Sequence, residues 1–93
     1  DDFSPRHNLD DPDLVTLFNW QPQEFLDKTE GSPIRRIGHE RWLRNLAVGL
    51  GNASASEDIL HQLEARAEHP SALVREHVQW AINQQKLKIN FYI

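Results

Sequence analysis

The stretch His39-Glu40-Arg41-Trp42-Leu43-Arg44-Asn45-Leu46-Ala47-Val48-Gly49-Leu50 has the clearest periodicity in the chain. Trp42, Leu43, Leu46, Ala47 and Leu50 recur at helical spacing and form one apolar stripe, while Arg41, Arg44, Asn45 and Val48 fall on the opposite face. That pattern predicts an amphipathic helix with its stripe in a core and its basic face in solvent. Gly51-Asn52 supplies the stop. Upstream, one unbroken helix through Gly38 would set Ile34 and Ile37 opposite the stripe. A bend at Gly38 instead lets both apolar groups reach a core.

Working outward, Pro12 after Asp11 predicts a short helix over 12–19, capped by Asp11, with Leu14, Leu17 and Phe18 buried. Pro22 opens a second, with Phe25 and Leu26 inward and Gly31 ending it, and Ser32-Pro33 starts a further turn. Downstream, Ser54-Ala55-Ser56-Glu57 has capping-box spacing, with Ser54 as cap, and opens a helix that buries Ile59, Leu60, Leu63 and Ala67 and stops before His69-Pro70. Ser71 caps the last helix, with Leu73, Val74, His77, Val78, Ala81 and Ile82 inward. Only Leu87 to Ile93 alternates at all like a strand, so the expected class is all-α.

There is one internal echo. Leu46-Ala47-Val48-Gly49-Leu50-Gly51 maps onto Val78-Gln79-Trp80-Ala81-Ile82-Asn83 at an offset of 32 residues, with Gly49 and Ala81 as small residues that let a neighbouring helix approach. Stacked helical pairs repeat at about this period, each burying its face on the next. The expected architecture is a short HEAT-like helical repeat bundle of about five helices. Coincidence among ordinary amphipathic helices is the alternative.

Composition narrows the function. The 93 residues make one domain, with no cysteine and a formal net charge of −4. Disulfides, thiolate-held iron–sulfur clusters, zinc fingers and thiol nucleophiles are thereby removed. No apolar run is long enough to span a membrane, and no signal peptide opens the chain. With Asp1 rather than methionine first, the chain reads as a piece of a larger cytoplasmic protein, monomeric and without membrane contact. Residues 1–27 hold seven acids against Arg6 alone, whereas Lys28, Arg35, Arg36, Arg41 and Arg44 crowd residues 28–44 against Glu30 and Glu40. Such a cluster attracts phosphate. The alternative is a solvated helix face with local ion pairs.

No active site assembles from the residues. The five histidines, His7, His39, His61, His69 and His77, form no pair at metal-ligand spacing, and the serines read as turn or cap residues. What remains is Arg35, Arg36, His39, Arg41, Arg44 and Asn45, interleaved with Trp42. Guanidinium forks match phosphate oxygens bidentately. The place of Trp42 on the apolar stripe favours a core role over stacking on a base.

The run from Glu30-Gly31-Ser32-Pro33-Ile34-Arg35-Arg36-Ile37-Gly38 through His39–Leu50 to Gly51-Asn52-Ala53 resembles the C-terminal region of the epoxyqueuosine reductase family. So do Leu17-Phe18-Asn19-Trp20, Glu24-Phe25-Leu26 and Glu76-His77-Val78-Gln79-Trp80-Ala81-Ile82. Pro33 and Gly49 depart from the usual family residues, and neither lies on the arginine face. The resemblance implies a parent oxidoreductase that reduces epoxyqueuosine to queuosine at the tRNA wobble position, with cobalamin and two [4Fe–4S] clusters held upstream. It further implies an acidic linker at 1–11 from a ferredoxin-like module, a HEAT-like domain over 12–86, and a tail at 87–93. This region would then hold no catalytic residue, no metal and no cofactor. Its partners would be tRNA, engaged by Arg35, Arg36, His39, Arg41, Arg44 and Asn45, and the upstream catalytic and ferredoxin-like domains. The alternative is a helical protein-interaction or architectural module that docks on those catalytic domains.

Overall fold

The computed structural model describes residues 11–91, and side chains within 13–90. Five α-helices and one 3-10 turn follow in order: α1 (Asp11–Phe18), α2 (Pro22–Lys28), the 3-10 turn Pro33–Ile37, α3 (Gly38–Asn52), α4 (Glu57–Glu64) and α5 (Ala72–Phe91). No strand occurs among the described residues. The fold is all-α. The 1–11 linker and the Asp11 cap lie outside the described side chains.

Helix α3 is the centre of the molecule. Trp42, Leu43, Leu46, Ala47 and Leu50 are all buried, and Arg41 faces solvent, as the spacing predicts. Gly38 makes the expected break. Its φ of 83° is a conformation that costs a residue with a Cβ energy, so the chain turns there between the 3-10 turn and α3. Only half of the expected apolar gain follows, because Ile34 packs against the core while Ile37 is 39% exposed. In α2, Phe25 is fully buried, but Leu26 is also 39% exposed. A seven-residue helix laid across the core has room to bury one large side chain, and Phe25 takes that place.

Helices α3 and α5 run parallel. Ser71 Oγ donates to the Glu40 carboxylate at the start of the pair, and Gly51 meets Ala81 further along, at nearly the same sequence separation. The close approach falls at Gly51 rather than at Gly49. A Cβ built on Gly51 would lie 2.9 Å from the Ala81 Cα and 2.6 Å from the Trp80 ring. Helix α4 links α3 to α5, packs on α5 and buries Ile59 and Leu63, with Leu60 and Ala67 partly covered. The α4 cap is Ser56, not Ser54. The Ser56 hydroxyl accepts the Ile59 N–H at 3.2 Å, and the Ser56 N–H donates to Gln85 Oε1 at 3.0 Å. Ser71 caps α5 as expected, accepting from the Val74 N–H at 3.2 Å.

The end of α3 is closed from α5. Gln85 is fully buried, and its Nε2 donates to the Leu50, Ala53 and Ser54 carbonyls at 2.8, 3.2 and 3.3 Å. Lys88 Nζ adds bonds to the Gly51 and Ala53 carbonyls at 2.7 and 2.6 Å. Carbonyls at a helix end run short of backbone donors (here only Leu50 keeps one, the Ala53 N–H at 3.3 Å), so a donor and a positive charge there stabilise the terminus. Both donors require α5 to continue beyond residue 82. It runs through Phe91, across residues 87–91 where the sequence suggested alternation and a tail.

An aromatic cluster fastens α1 and α2 onto α3. Trp20 stacks on Trp42 with centroids 5.5 Å apart, Phe25 meets Trp42 at 5.4 Å, and Trp42 Nε1 donates to the Leu17 carbonyl at 3.3 Å. Trp42 is 2% exposed and is therefore a core residue. Pairs of this geometry add about 0.5–1.5 kcal/mol each beyond the area they bury.

Candidate nucleic-acid interface

The arginines of residues 28–44 divide into two groups. Ser32 opens the 3-10 turn by accepting the Ile34 N–H at 3.2 Å, and the tight turn that follows leaves Arg35 and Arg36 exposed. With Gly31, Ser32 and Pro33 these two line an open depression of about 530 Å³. On α3, Arg41 and Arg44 stand one turn apart on the outward face. Arg44 Nε donates to Asn45 Oδ1 at 3.0 Å, which fixes both side chains. The side chains of Arg35, Arg36 and Arg41 have no hydrogen bond or ion pair among the described residues. No described residue takes a donor of these guanidinium forks, which suit an oxygen acceptor.

Three other cations are used within the fold. Arg66 Nε donates to the Phe18 carbonyl at 3.1 Å and its Nη2 to the Trp20 carbonyl at 3.2 Å, with the guanidinium 5.5 Å from the Phe18 ring centroid. Arg75 Nη1 donates to the His69 and Pro70 carbonyls, both at 2.8 Å. Lys28 pairs with Glu24 at 3.7 Å and lies 5.2 Å from the Trp20 ring centroid. The sequence gives no sign of the split between held and free arginines, because the carbonyls that hold Arg66 are 46 and 48 residues away.

His39 differs from the other candidates. Its half-buried ring donates through Nε2 to the Trp20 carbonyl at 2.8 Å and packs against Phe25, centroids 5.7 Å apart. Burial holds its pKa below the usual histidine range. The Trp20 carbonyl offsets this in part, and the nearby Arg66 charge adds to the lowering. This nitrogen is tied to the junction of α1 and α2 rather than presented outward.

One aromatic escapes the spacing argument. Trp80 is 39% exposed, and with Val48, Glu76 and His77 it lines a groove of about 340 Å³ between α3 and α5. The signal was available: two residues past Val78 on a helix is about 200° round the wheel, well off the buried stripe.

The chain's residues do not fit an iron–sulfur cluster, which takes thiolate ligands, since the sequence has no cysteine. Among the described residues, no three His, Asp or Glu side chains come together to hold a metal ion, and no helix is long and apolar enough to cross a membrane.

Fold and surface together define a small all-α domain with an arginine-rich edge and an exposed indole between two parallel helices. Its kinship is more specific. The chain is 60% identical over 83 residues to epoxyqueuosine reductase of Pseudomonas aeruginosa, a match covering 89% of this chain and 23% of the relative. Identity is 63% over 86 residues to the enzyme of that name from Xanthomonas campestris, covering 92% and 24%. For Escherichia coli it is 59% over 86 residues, covering 91% and 22%. The chain is a homologue of one part of the epoxyqueuosine reductases, and it spans less than a quarter of the length of these curated relatives. No family model matches the sequence, and no solved structure matches it.

Proposed function

We propose that this chain is a tRNA-engaging, non-catalytic domain of an enzyme that reduces epoxyqueuosine to queuosine in tRNA. The observation that carries the reading is the set of guanidiniums with no partner among the described residues, Arg35, Arg36 and Arg41, beside the Arg44–Asn45 pair. Exposed arginines that no fold contact uses are suited to phosphate, and they persist here although the chain as a whole is acidic. Cobalamin and the iron–sulfur clusters belong, in this reading, to parts of the enzyme outside this chain. The parallel α3 and α5, linked through α4, support the HEAT-like architecture. Exposed Leu26 and Ile37 favour a second role, in which these side chains dock on other parts of the enzyme.

The test is a salt titration of tRNA binding by the wild type and by the Arg41→Ala/Arg44→Ala double variant. Affinity should be weak, roughly 10⁻⁴–10⁻⁶ M. Each lost phosphate contact should flatten the slope of log affinity against log salt by about 0.7–0.9. Identical slopes and affinities would return the arginines to a structural role and leave docking as the function.

A further inference from the structure

We infer that the groove between α3 and α5 takes an unpaired nucleobase, stacked on Trp80, from an RNA strand whose phosphates lie along Arg41 and Arg44. The inference rests on the nucleic-acid reading above and adds a second, uncharged recognition element to it.

The placement follows from the register of α3. Arg41, Arg44 and Val48 succeed one another along one side of the helix, and Val48 forms a wall of the groove with Trp80, Glu76 and His77. At 1.5 Å rise per residue, Arg44 precedes Val48 by about 6 Å along the axis. The arginine ridge thus ends where the groove begins.

Chemistry narrows the occupant. Glu76 repels phosphate from the groove, while an exposed indole and a valine offer apolar surface to a flat, uncharged ring. A nucleobase meets these conditions, and its exocyclic amino groups suit a carboxylate acceptor. His77 Nδ1 donates to the Leu73 carbonyl at 2.9 Å, so in the neutral ring the other nitrogen is an acceptor as well. A purely apolar peptide would leave Glu76 unmatched and would gain nothing from the adjoining arginines. Trp80 is also held in place. Its Cζ3 lies against Gly51, where a Cβ would come within 2.6 Å, so the absent side chain is what seats the indole on α3. A seated aromatic loses little freedom on stacking.

The experiment compares two RNA probes, a hairpin with an unpaired loop and a fully paired duplex of the same length, against wild type, Trp80→Leu and Trp80→Phe. Trp80→Leu should weaken hairpin binding by about 5- to 150-fold, the range for deleting one aromatic–base stack, and Trp80→Phe should restore most of it. Duplex affinity and the salt slope should stay the same in all three. In the wild type, the loop should quench tryptophan fluorescence and the duplex should not. Trp20 and Trp42 are buried, so the quenching reports Trp80 and needs no variant. Equal hairpin affinity for wild type and Trp80→Leu, without quenching, would overturn the inference. If the Arg41→Ala/Arg44→Ala slope change persisted, the phosphate reading would survive that result. No binding of either probe would overturn both.

Discussion

Gly51→Ala tests the α3–α5 interface by adding a single methyl group. Two opposed effects decide the outcome. Gly51 has helical backbone within α3, so alanine should contribute about 0.5–1 kcal/mol through lower unfolded-state entropy and better helix propensity. Against this, the new methyl would sit 2.6 Å from Trp80 Cζ3, 2.9 Å from the Ala81 Cα and 3.0 Å from the Ala81 Cβ. The indole could swing aside, but the Ala81 Cα is main chain and moves only if α5 moves. Displacing α5 also disturbs Gln85 and Lys88, which hold the carbonyls at the end of α3. Overpacking of this kind costs about 1–3 kcal/mol, so the net effect should be a destabilisation of about 0.5–2 kcal/mol. For a domain of this size each kcal/mol shifts Tm by about 4–8 °C. Thermal unfolding followed by circular dichroism should show a fall of several degrees, with a change in tryptophan emission as Trp80 is displaced. An unchanged or raised Tm would refute the close crossing and restore Gly49 as the point of approach.

Other substitutions separate the buried from the exposed. Leu46→Ala should cost about 2–5 kcal/mol in denaturant unfolding, because Leu46 is fully buried between helices, whereas Arg41→Ala should stay within about 0.5 kcal/mol. Gln85→Ala should cost about 1–3 kcal/mol by leaving the Ser56 N–H without its acceptor and removing the buried donor to the Leu50 carbonyl, and amide exchange at Ser56 should accelerate. Stability should fall as pH drops below the ordinary histidine value of 6.5. Burial and the Arg66 charge lower the pKa of both His39 and His69, so the unfolded state binds more protons there; the Trp20 carbonyl offsets this in part at His39, and at His69 Glu40 offsets it while Arg75 adds to it. His39→Asn should flatten the dependence of Tm on pH between neutrality and mild acid. A slope equal to that of the wild type would exclude His39 as its source.

Much of the helical frame was legible locally. Stripes at three- and four-residue spacing picked out Trp42, Leu46, Val74 and Val78 as core, since residues so spaced share one side of a helix wherever it packs. Gly38 was legible for a related reason, because apolar residues on opposite faces force a bend that only the chain itself can make. Leu26 and Ile37 were misjudged. Periodicity says which face is apolar, but not whether a partner is present to cover it.

The candidate site divides in the same way. Sequence by itself determined the all-α class, the outward face of α3 and the clustering of arginines between residues 28 and 44, because helix periodicity and charge density are properties of neighbouring residues. Only the tertiary structure decided which cations are held by the fold. Arg66 and Lys88 reach carbonyls from 35 to 48 residues away, while Arg35, Arg36 and Arg41 reach none among the described residues. It likewise chose Ser56 over Ser54 as the α4 cap, since the Ser56 N–H finds its acceptor on Gln85 of a distant helix. The exposure of Trp80 was settled by the same packing, in which a missing Cβ at Gly51 lets α5 close on α3 and leaves the indole at the rim. Hydrogen bonds and close crossings act through space at about 3 Å, and separation along the chain does not encode which residues will come within that distance.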